Sequence, residues 1–576
     1  MQFDPSSSKL DREAATLNTL AASRRKPRCN RKHMPNSLRQ AFCRATLGVL
    51  LNCGGLGCLI LATPNYGQAT PVGGGEMRVA ISSDIRSTNP GVNRDGNTDT
   101  VLYHIVEPLV AFTDTLEVAP LLAERIDITD DGRLYTFTLR SGVSFHNGEL
   151  LQAEHVVWTW QRLLDPATGF RCQDWYDGTG NSGLKIEAVE AVTPLTVEFR
   201  LNQPSALFLH RMANLQCLTG IIHPDSVASD GTWQQPIGTG PYKLDQWQRG
   251  KSVTLLRHQD YSNLTEPRSG LTGDKTPYIE RLHFVVTPDA IAAQAALFSG
   301  AVDLLFAVPP AARHSVAARR DRKGDVVLKD YLTLDWTALL IAPDDPLLGK
   351  PDMRRAIAHA LAHEQIAEFA NLGMAPANAS PVQVISPFYS THHSQWLEYN
   401  PDKARQLAAS AGYQGEPIWL QTNRKYSYMF DNAVAIQAML QAAGFNVQLQ
   451  VLDWASQLSH FFRGDFQLSS FGYSSRSHPA LLFGTFTGDR SIAKSYQWDN
   501  DQARNLVGQL ATATHADQQH LLDQLYSLMR EQVPLIGLYN DHNTDVVRTR
   551  VRNYEPWAFG RPRLWGVWLE NKGERP

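Results

Sequence analysis

Disulfides, metal sites and catalytic motifs each require certain residues at a certain spacing, so the sequence limits which of them this chain can form. Four of the six cysteines lie within the first 70 residues, and Cys172 and Cys217 are the two that follow. In an oxidising compartment such a pair can form a disulfide, and two separate buried thiols fit the sequence equally well. No cluster of Cys and His residues has the spacing of a metal site.

Catalytic motifs are absent as well. The sequence contains no GxSxG, HExxH or P-loop, and no nucleophile stands in a recognisable context. We therefore expect a protein that is not an enzyme and that needs no cofactor. Catalytic groups can come from segments far apart in sequence, so a hydrolase remains as an alternative.

The elements that would position a site are strands and helices mixed along the chain. The segment 131–166 shows this most clearly, because Tyr135, Phe137 and Leu139 alternate as in a half-buried strand and a helix follows that stops at Asp165-Pro166. Further strands are predicted at 77–81, 186–192 and 196–201, and helices at 98–106, 290–299, 353–372, 401–411 and 432–443. Units in which a strand follows a helix indicate α/β sheets.

Size and charge describe a large globular protein with a basic head. The 576 residues are 43% hydrophobic and 19% charged, so we expect two or three domains and no nucleic-acid partner. Residues 1–70 carry ten Lys or Arg and three acids, a net charge of +7, whereas the rest of the chain carries −10. The uncharged run Ala45–Ala62 and then Gly67-Gln68-Ala69 follow the basic residues, which is typical of a cleaved signal peptide. Met34 is an alternative start, and a membrane-anchored form would result if cleavage fails.

Several short motifs occur in the order in which one protein family has them. They are the unit at 131–166, Gly238-Thr239-Gly240-Pro241-Tyr242, Met353-Arg354-Arg355-Ala356-Ile357, Tyr399-Asn400-Pro401-Asp402-Lys403-Ala404 and Gly444-Phe445-Asn446-Val447. In this order they resemble the extracytoplasmic solute-binding proteins of family 5, which bind peptides, dipeptides and nickel complexes for ABC importers. The resemblance extends from about Met77 to the last strand.

The resemblance implies an α/β, periplasmic-binding-protein-like fold with two lobes around a cleft and an extra subdomain inserted in the first lobe. Transferred to this sequence, residues 1–70 are the signal peptide and basic leader, and the first lobe comprises 71–112, 226–322 and 520–576. The inserted subdomain then covers 113–225, and the second lobe covers 323–519. Crossings near 322 and 520 would form the hinge, and closure of the lobes would capture the ligand.

The resemblance also implies a location and partners. We expect a periplasmic monomer that delivers a peptide or peptide-like solute to the permease subunits of an ABC transporter in the inner membrane. Runners-up are a non-peptide anionic solute, such as an opine-like compound, and a metal chelate, for import or sensing. A transcription regulator that carries a similar domain behind a helix-turn-helix is an alternative of another class.

The site residues follow from one departure from the family pattern. In peptide-binding members, an acid four residues before a proline pairs with the α-ammonium of the peptide, and in the matching segment Phe471–Pro479 that position is Ser475. Because a hydroxyl recovers only part of the cost of burying an ammonium, we predict that the ligand's N-terminus is not recognised in the usual way. Arg476 and Arg94 would instead hold a carboxylate bidentately, unless both are solvated or pair with neighbours such as Asp95. The predicted ligand-binding residues are Asn89, Arg94, Phe471, Tyr473, Ser475, Arg476 and His478, with no metal ligand among them.

Overall fold

Strands and helices alternate along the computed structural model of the protein, which describes residues 71–180, 182–308 and 310–570. The strands β1–β18 are Glu76–Ile81, Val110–Phe112, Val118–Pro120, Ala123–Ile128, Leu134–Leu139, Ile186–Thr193, Thr196–Leu201, Tyr242–Gln248, Ser252–Arg257, Arg281–Val286, Leu304–Leu305, Val326–Ile341, Ile418–Asn423, Val447–Leu452, Leu468–Tyr473, Leu535–Arg548, Val551–Arg552 and Trp568–Leu569. The helices α1–α13 are Gly96–Leu102, Ala153–Leu164, Phe208–Met212, Ala290–Ser299, Pro310–Lys323, Pro351–His359, His363–Asn371, Pro401–Ser410, Ser427–Ala442, Trp454–Arg463, Pro479–Phe486, Asp501–Leu510 and His515–Gln532. None of the helices in these described ranges has the length and hydropathy needed to cross a lipid bilayer.

Local sequence signals account for most of these bounds. In β5 the side chains of Tyr135, Phe137 and Leu139 are buried while their neighbours are half-buried, which confirms the predicted alternation. The first strand, the hairpin β6–β7 and α4 also lie where the sequence predicts them. Helix α2 ends at Leu164 because Pro166 disfavours the helical conformation at Asp165.

The prediction of one helix over 353–372 is wrong. Helix α6 ends at His359 and α7 begins at His363, and Ala362 between them has an extended backbone. The His359 imidazole bonds the Glu398 carbonyl across 2.8 Å, which ties the end of α6 to the segment that leads into α8. The break lets α6 pack on α8 and α7 pack on α9, and the intervening alanines carry no local sign of it.

Ten strands form one sheet in the order β14-β13-β15-β12-β16-β11-β1-β10-β9-β8. Strands β12 and β16 are the longest and pair antiparallel at its centre. Strand β15 pairs with the C-terminal part of β12, whereas β11 pairs with the C-terminal part of β16. Because those two parts lie at opposite ends of the ladder, β12 and β16 are the strands shared by both halves of the sheet.

The ladder between β12 and β16 is interrupted where the two halves meet. Leu332 pairs with His542 and Trp336 pairs with Asn540, so three residues of β12, Thr333–Asp335, oppose the single residue Asp541 of β16. Such an irregularity bends a strand and redirects its side chains. The interruption lies at 333–335 and 541, and the crossings near 322 and 520 stay a prediction.

A separate four-stranded sheet, β4-β5-β7-β6, lies inside the region predicted as an inserted subdomain. Helix α2 packs on it, and Phe137, Trp160 and Phe199 are fully buried in the shared core. The structure joins Cys172 and Cys217 of this region in a disulfide.

Helix α13 contains the predicted boundary between residues 519 and 520. Its buried residues, including Leu522, Leu525 and Tyr526, belong to the same apolar cluster as Trp336 and Phe483. This apolar cluster covers the apolar face of α13. The helix therefore packs with residues that are predicted to belong to the second lobe. The boundary between residues 519 and 520 stays a prediction.

Candidate functional site

Two acidic side chains occupy the interruption between β12 and β16. The Asp335 carbonyl accepts a hydrogen bond from the Asn540 side-chain amide at 3.3 Å, and the Thr333 hydroxyl donates to the Asp541 carbonyl at 3.1 Å. These contacts hold Asp335 and Asp541 next to each other on adjacent strands. Two carboxylates so close together favour the protonation of one of them.

Ser475 lies against Asp335. Its backbone N–H and its hydroxyl both donate to Asp335 Oδ1, each at 2.5 Å. The contact follows from the register, because Tyr473 at the end of β15 pairs with Trp336. A carboxylate is therefore present beside Ser475, but strand β12 supplies it rather than the loop that contains the serine.

Asp541 is an acid without a cationic partner among the described residues. The backbone N–H of His542 donates to its carboxylate at 2.9 Å, and no other donor in this part of the chain reaches it. Burial, and after it the negative charge of Asp335, raises the pKa of Asp541 to about 7. The side chain nonetheless keeps accessible surface. Asp335 also keeps accessible surface, and the space beside the two acids is called the crevice below.

Tyr428 borders the same crevice. Burial, followed by the charges of Asp541 and Asp335, raises the pKa of the Tyr428 hydroxyl well above its ordinary value. A Cβ atom at Gly472 would lie only 2.3 Å from this hydroxyl, so a larger residue there would push the tyrosine side chain away from β15. The crevice is thus lined from β12, β16 and the N-terminal turn of α9.

Arg476 is a half-buried guanidinium whose hydrogen bonds go to neutral groups. Its Nη1 donates to the Ser474 carbonyl at 2.9 Å, the Ser474 hydroxyl at 3.0 Å, the Ser475 carbonyl at 3.1 Å and Gln216 Oε1 at 3.3 Å. Burial lowers the pKa of Arg476 to about 10, Asp335 opposes that shift, and the positive charges of Arg171 and Arg94 add to it. No carboxylate in the described ranges forms a hydrogen bond with Arg476, so an anionic ligand group would complete its coordination.

Arg94 has a carboxylate partner already. Its Nε donates to Asp99 Oδ1 at 3.0 Å and its Nη2 donates to Oδ2 of the same residue. Burial raises the pKa of Asp99 despite this ion pair. Arg94 therefore pairs with a neighbouring acid, which was one of the alternatives left open by the sequence. The partner is Asp99 rather than Asp95, because Asp95 caps α1 by accepting from the Thr98 N–H.

The other predicted site residues have structural contacts. Phe471 stacks on Phe461 and Tyr473 on Trp336, and both predicted residues are buried within the apolar core. His478 caps α11 by accepting from the Ala480 N–H at 3.1 Å, and burial lowers the pKa of His478 to about 3.

Asn89 is buried as well, and its side-chain oxygen has no hydrogen-bond donor in the described chain. Of the predicted residues, the structure brings Ser475 and Arg476 together at the crevice. The role of each predicted residue in ligand binding stays a prediction.

A cavity of about 930 Å³ opens between the inserted region and helices α11 and α12. Arg171, Gln216 and the Cys172–Cys217 disulfide line it from the inserted region, and Arg476 lines it from the opposite side. Asp335 and Asp541 are not among its described lining residues. Since Arg476 contacts Gln216 and lies beside Asp335, it stands between this cavity and the acidic crevice.

Sequence reasoning missed Asp335, Asp541 and Gln216. Asp335 is the one charged residue between Tyr331 and Ala342, and a lone acid in such an apolar strand is a usable signal. Asp541 lies in a run of polar residues that is typical of a loop rather than of a central strand. Gln216 carries no local signal, because its importance depends on a partner far away in sequence.

Glu149, His155 and His223 form a cluster in which one ligand atom from each lies within 4.8 Å of the others. The Nδ1 atoms of His155 and His223 accept backbone N–H groups at 3.0 and 3.1 Å. The neutral rings therefore carry their protons on Nε2, where they face the Glu149 carboxylate. Because a metal ion would need those Nε2 lone pairs, we interpret the cluster as a hydrogen-bond network that fixes the start of α2.

Comparisons with known proteins agree with this architecture. Residues 117–492, more than half of the chain, match the profile of the bacterial extracellular solute-binding proteins, family 5 Middle. The chain is 28% identical to di/tripeptide-binding protein 4 of Pseudomonas aeruginosa (strain UCBPP-PA14), across 91% of this chain and 96% of that protein.

Among solved structures, the chain is similar to DppA from Helicobacter pylori in complex with the peptide STSA, with a TM-score of 0.72 and 23% identity over 87% of this chain and 99% of that one. It is also similar to AgaA from A. tumefaciens R10 in complex with agropinic acid, with a TM-score of 0.69 and 23% identity over 86% and 99% of the two chains. Both are periplasmic binding proteins, so the predicted fold class is confirmed.

Proposed function

The chain belongs to the bacterial extracellular solute-binding proteins of family 5, and we propose that it captures a peptide or peptide-like solute and delivers it to the permease of an ABC importer. Membership of the family supports solute binding. The relative named for di- and tripeptide binding supports the ligand class.

The observation that carries the proposal is Arg476, which has no hydrogen-bonded carboxylate in the described ranges. Its guanidinium is half-buried, it is bonded to neutral acceptors, and it faces a cavity whose other wall belongs to the inserted region. A partly desolvated cation without a hydrogen-bonded anion is costly, and a carboxylate from the ligand would offset that cost with a charge-assisted, bidentate contact. Every peptide with a free C-terminus carries such a carboxylate.

Capture is proposed to occur by closure of the two halves about the interruption in β12 and β16. Arg476 and Gln216 lie 260 residues apart in the chain and meet across the cavity. A ligand held between Arg476 and the inserted region would have these contacts only in the closed state. The ligand would therefore bind the closed state more tightly than the open state, and this difference in affinity sets how far it shifts the population toward closure.

The same proposal places the protein outside the cytoplasm, in the periplasm, where its partner would be the permease in the inner membrane. The basic head and the uncharged run of residues 1–70 support export through a signal peptide. These residues lie outside the described part of the chain. A binding protein releases its ligand unchanged, so we propose no catalytic step.

A non-peptide carboxylate is the second candidate. Four arginines, Arg171, Arg211, Arg476 and Arg504, and two acids, Asp174 and Asp489, line the cavity. Arg504 already pairs with Asp499 and Asp501, and the other three arginines suit a ligand with more than one acidic group. The structural similarity to a protein solved with agropinic acid agrees with this candidate at the level of fold.

Native mass spectrometry of the protein purified from its own host, with any copurified solute retained, tests the ligand class directly. A peptide mass supports the first candidate, and a non-peptide acid supports the second. Finding neither, together with no binding to a panel of di- and tripeptides by calorimetry, would contradict the proposed function. Peptide products that accumulate during the incubation would instead indicate a hydrolase.

Arg476→Ala tests the carrying observation. We expect the dissociation constant for a bound peptide to rise at least about tenfold, because one charge-assisted contact is lost. Arg463→Ala is the matched control, since Arg463 is exposed and pairs with Asp465 away from the cavity. Unchanged affinity of the Arg476 variant would remove the carboxylate contact from the proposal.

A further inference from the structure

We propose that Arg211, in the inserted region, is a specificity residue of the cavity and binds a second acidic group of the ligand while Arg476 holds the first. This inference rests on the proposed solute-binding function and deepens it, because it defines the ligand as a solute with at least two carboxylates. A peptide with an acidic side chain and a non-peptide dicarboxylic acid both meet that description.

Arg211 is a buried guanidinium in the wall of the cavity, and only 8% of its surface is exposed. Its Nη1 donates to the Trp175 carbonyl at 3.0 Å and to the Ser182 hydroxyl at 2.9 Å, and these neutral acceptors fix the orientation of the group. Its Nε and Nη2 form no hydrogen bond with the described part of the chain, and neither atom is enclosed by protein. Those two nitrogens form the fork that a carboxylate binds bidentately.

No carboxylate in the described ranges forms an ion pair with Arg211. Burial lowers the pKa of Arg211, and the charge of Asp174, which also lines the cavity, opposes that shift from a distance. Burial, followed by the charge of Asp177, raises the pKa of Asp174, whereas a carboxylate paired with a guanidinium would have a lowered pKa. Because a buried cation without an anionic partner is costly, an acidic group of the ligand would stabilise this part of the cavity.

The wall formed by α11 and α12 leaves room for such a ligand. Gly484 of α11 and Gly508 of α12 both line the cavity. A Cβ atom at either position would meet nothing within 4 Å beyond its own helix and chain neighbours. Glycine is less favourable than alanine in the interior of a helix, and no neighbouring group requires it here. The space in front of these two glycines is therefore open to a ligand.

Arg211 and Arg476 are close enough for one solute to contact both. Arg476 donates to Gln216, which follows Arg211 by five residues. Two successive turns compact this segment, because the Asn214 N–H donates to the Arg211 carbonyl and the Cys217 N–H donates to the Asn214 carbonyl, each at 3.1 Å. Each turn keeps its ends within about 7 Å, so the segment from Arg211 to Cys217 spans at most about 14 Å.

Calorimetry with paired solutes tests the second acidic group. The first set contains di- and tripeptides with glutamate or, at the same position, glutamine. The second set contains N-carboxyalkyl derivatives of glutamate and of glutamine, so the members of every pair differ in one negative charge. We expect the wild-type protein to bind the acidic member at least about tenfold more tightly in one of the sets. The set that shows the preference distinguishes an acidic peptide from a non-peptide acid.

Variants of Arg211 test the assignment to this residue. Arg211→Gln should remove most of the preference and leave the affinity for the neutral member within about threefold, because the neutral member lacks the charge that Arg211 binds. A residue that only maintains the fold would weaken both members equally. Arg125→Gln is the matched control and should keep the preference, since Arg125 is an exposed arginine of the inserted region that pairs with Asp127. If Arg211→Gln fails to fold, Arg211→Lys carries the test, and its ammonium, which has no fork, should reduce the preference about threefold.

Each result leads to a decision. Equal binding of acidic and neutral members by the wild-type protein overturns the second acidic group and leaves solute binding intact. A preference that is unchanged in the Arg211 variants, or an equal loss for both members, overturns the assignment to Arg211. If neither set binds, the copurified solute decides, since one with two or more acidic groups supports the inference and one with fewer overturns it. The absence of any solute overturns the proposed function.

Discussion

Removing the Cys172–Cys217 disulfide is expected to loosen the inserted region selectively. The bridge closes a loop of 45 residues, for which the loss of chain entropy in the unfolded state corresponds to about 4 kcal/mol. Local opening of this region should then become about a thousandfold more frequent in the Cys172→Ala/Cys217→Ala variant. Hydrogen exchange measured by mass spectrometry is the assay, with peptides from β5 as the reporter and peptides from β13 as the internal control.

Ligand binding should respond to the same change. Gln216 is adjacent to Cys217 and accepts a hydrogen bond from Arg476, while Arg171 is adjacent to Cys172 and lines the cavity. A looser loop holds these two groups less well, so the dissociation constant should rise about threefold or more. A reducing agent should reproduce both effects in the wild-type protein and add nothing in the double variant. If β5 exchanges at the wild-type rate in the variant, the entropic argument is refuted.

Two further predictions concern buried charges. Because the pKa of Asp541 is raised in the folded state, the folded protein keeps a proton that the unfolded chain releases. The stabilisation by that proton is present at low pH and is lost as the pH rises from about 4 through about 7. Asp541→Asn should therefore stabilise the ligand-free protein at pH 8 by up to about 4 kcal/mol and leave it nearly unchanged at pH 4; equal melting-temperature shifts at both pH values would contradict this. Lys275→Met should cost about 3–5 kcal/mol in unfolding free energy, because Lys275 and Glu107 form a buried ion pair at 2.6 Å. The added change Glu107→Gln should recover part of that loss. Lys329→Met, at a partly exposed ion pair with Glu555, should cost less than about 1 kcal/mol in chemical denaturation.

Contiguous patterns were the part of the fold that the sequence could predict. The alternation in β5 and the stop of α2 at Asp165-Pro166 each express a local rule, and the structure follows both. The break between α6 and α7 has no such local expression, because it depends on where the ends of the helices pack. The packing of α13 has no local expression either, since an apolar stripe does not say which core will cover it.

The candidate site divides in a similar way. Ser475 and Arg476 were accessible to sequence reasoning because the departure from the family pattern lies within nine consecutive residues. The sequence suggested that Arg94 pairs with a neighbouring acid and offered Asp95 as the example. The partner is Asp99, because the choice between the two acids depends on the rotation of α1.

The sequence by itself determined the family, most of the secondary structure and the absence of an acid at Ser475, because each is encoded by residues close together in the chain. The tertiary structure alone decided that an acid stands beside that serine. Asp335 and Asp541 lie more than 200 residues apart, and the register of β12 with β15 and β16 brings them to one crevice. Strand register depends on the packing of whole faces of a sheet, and no local pattern of residues specifies it across such a distance.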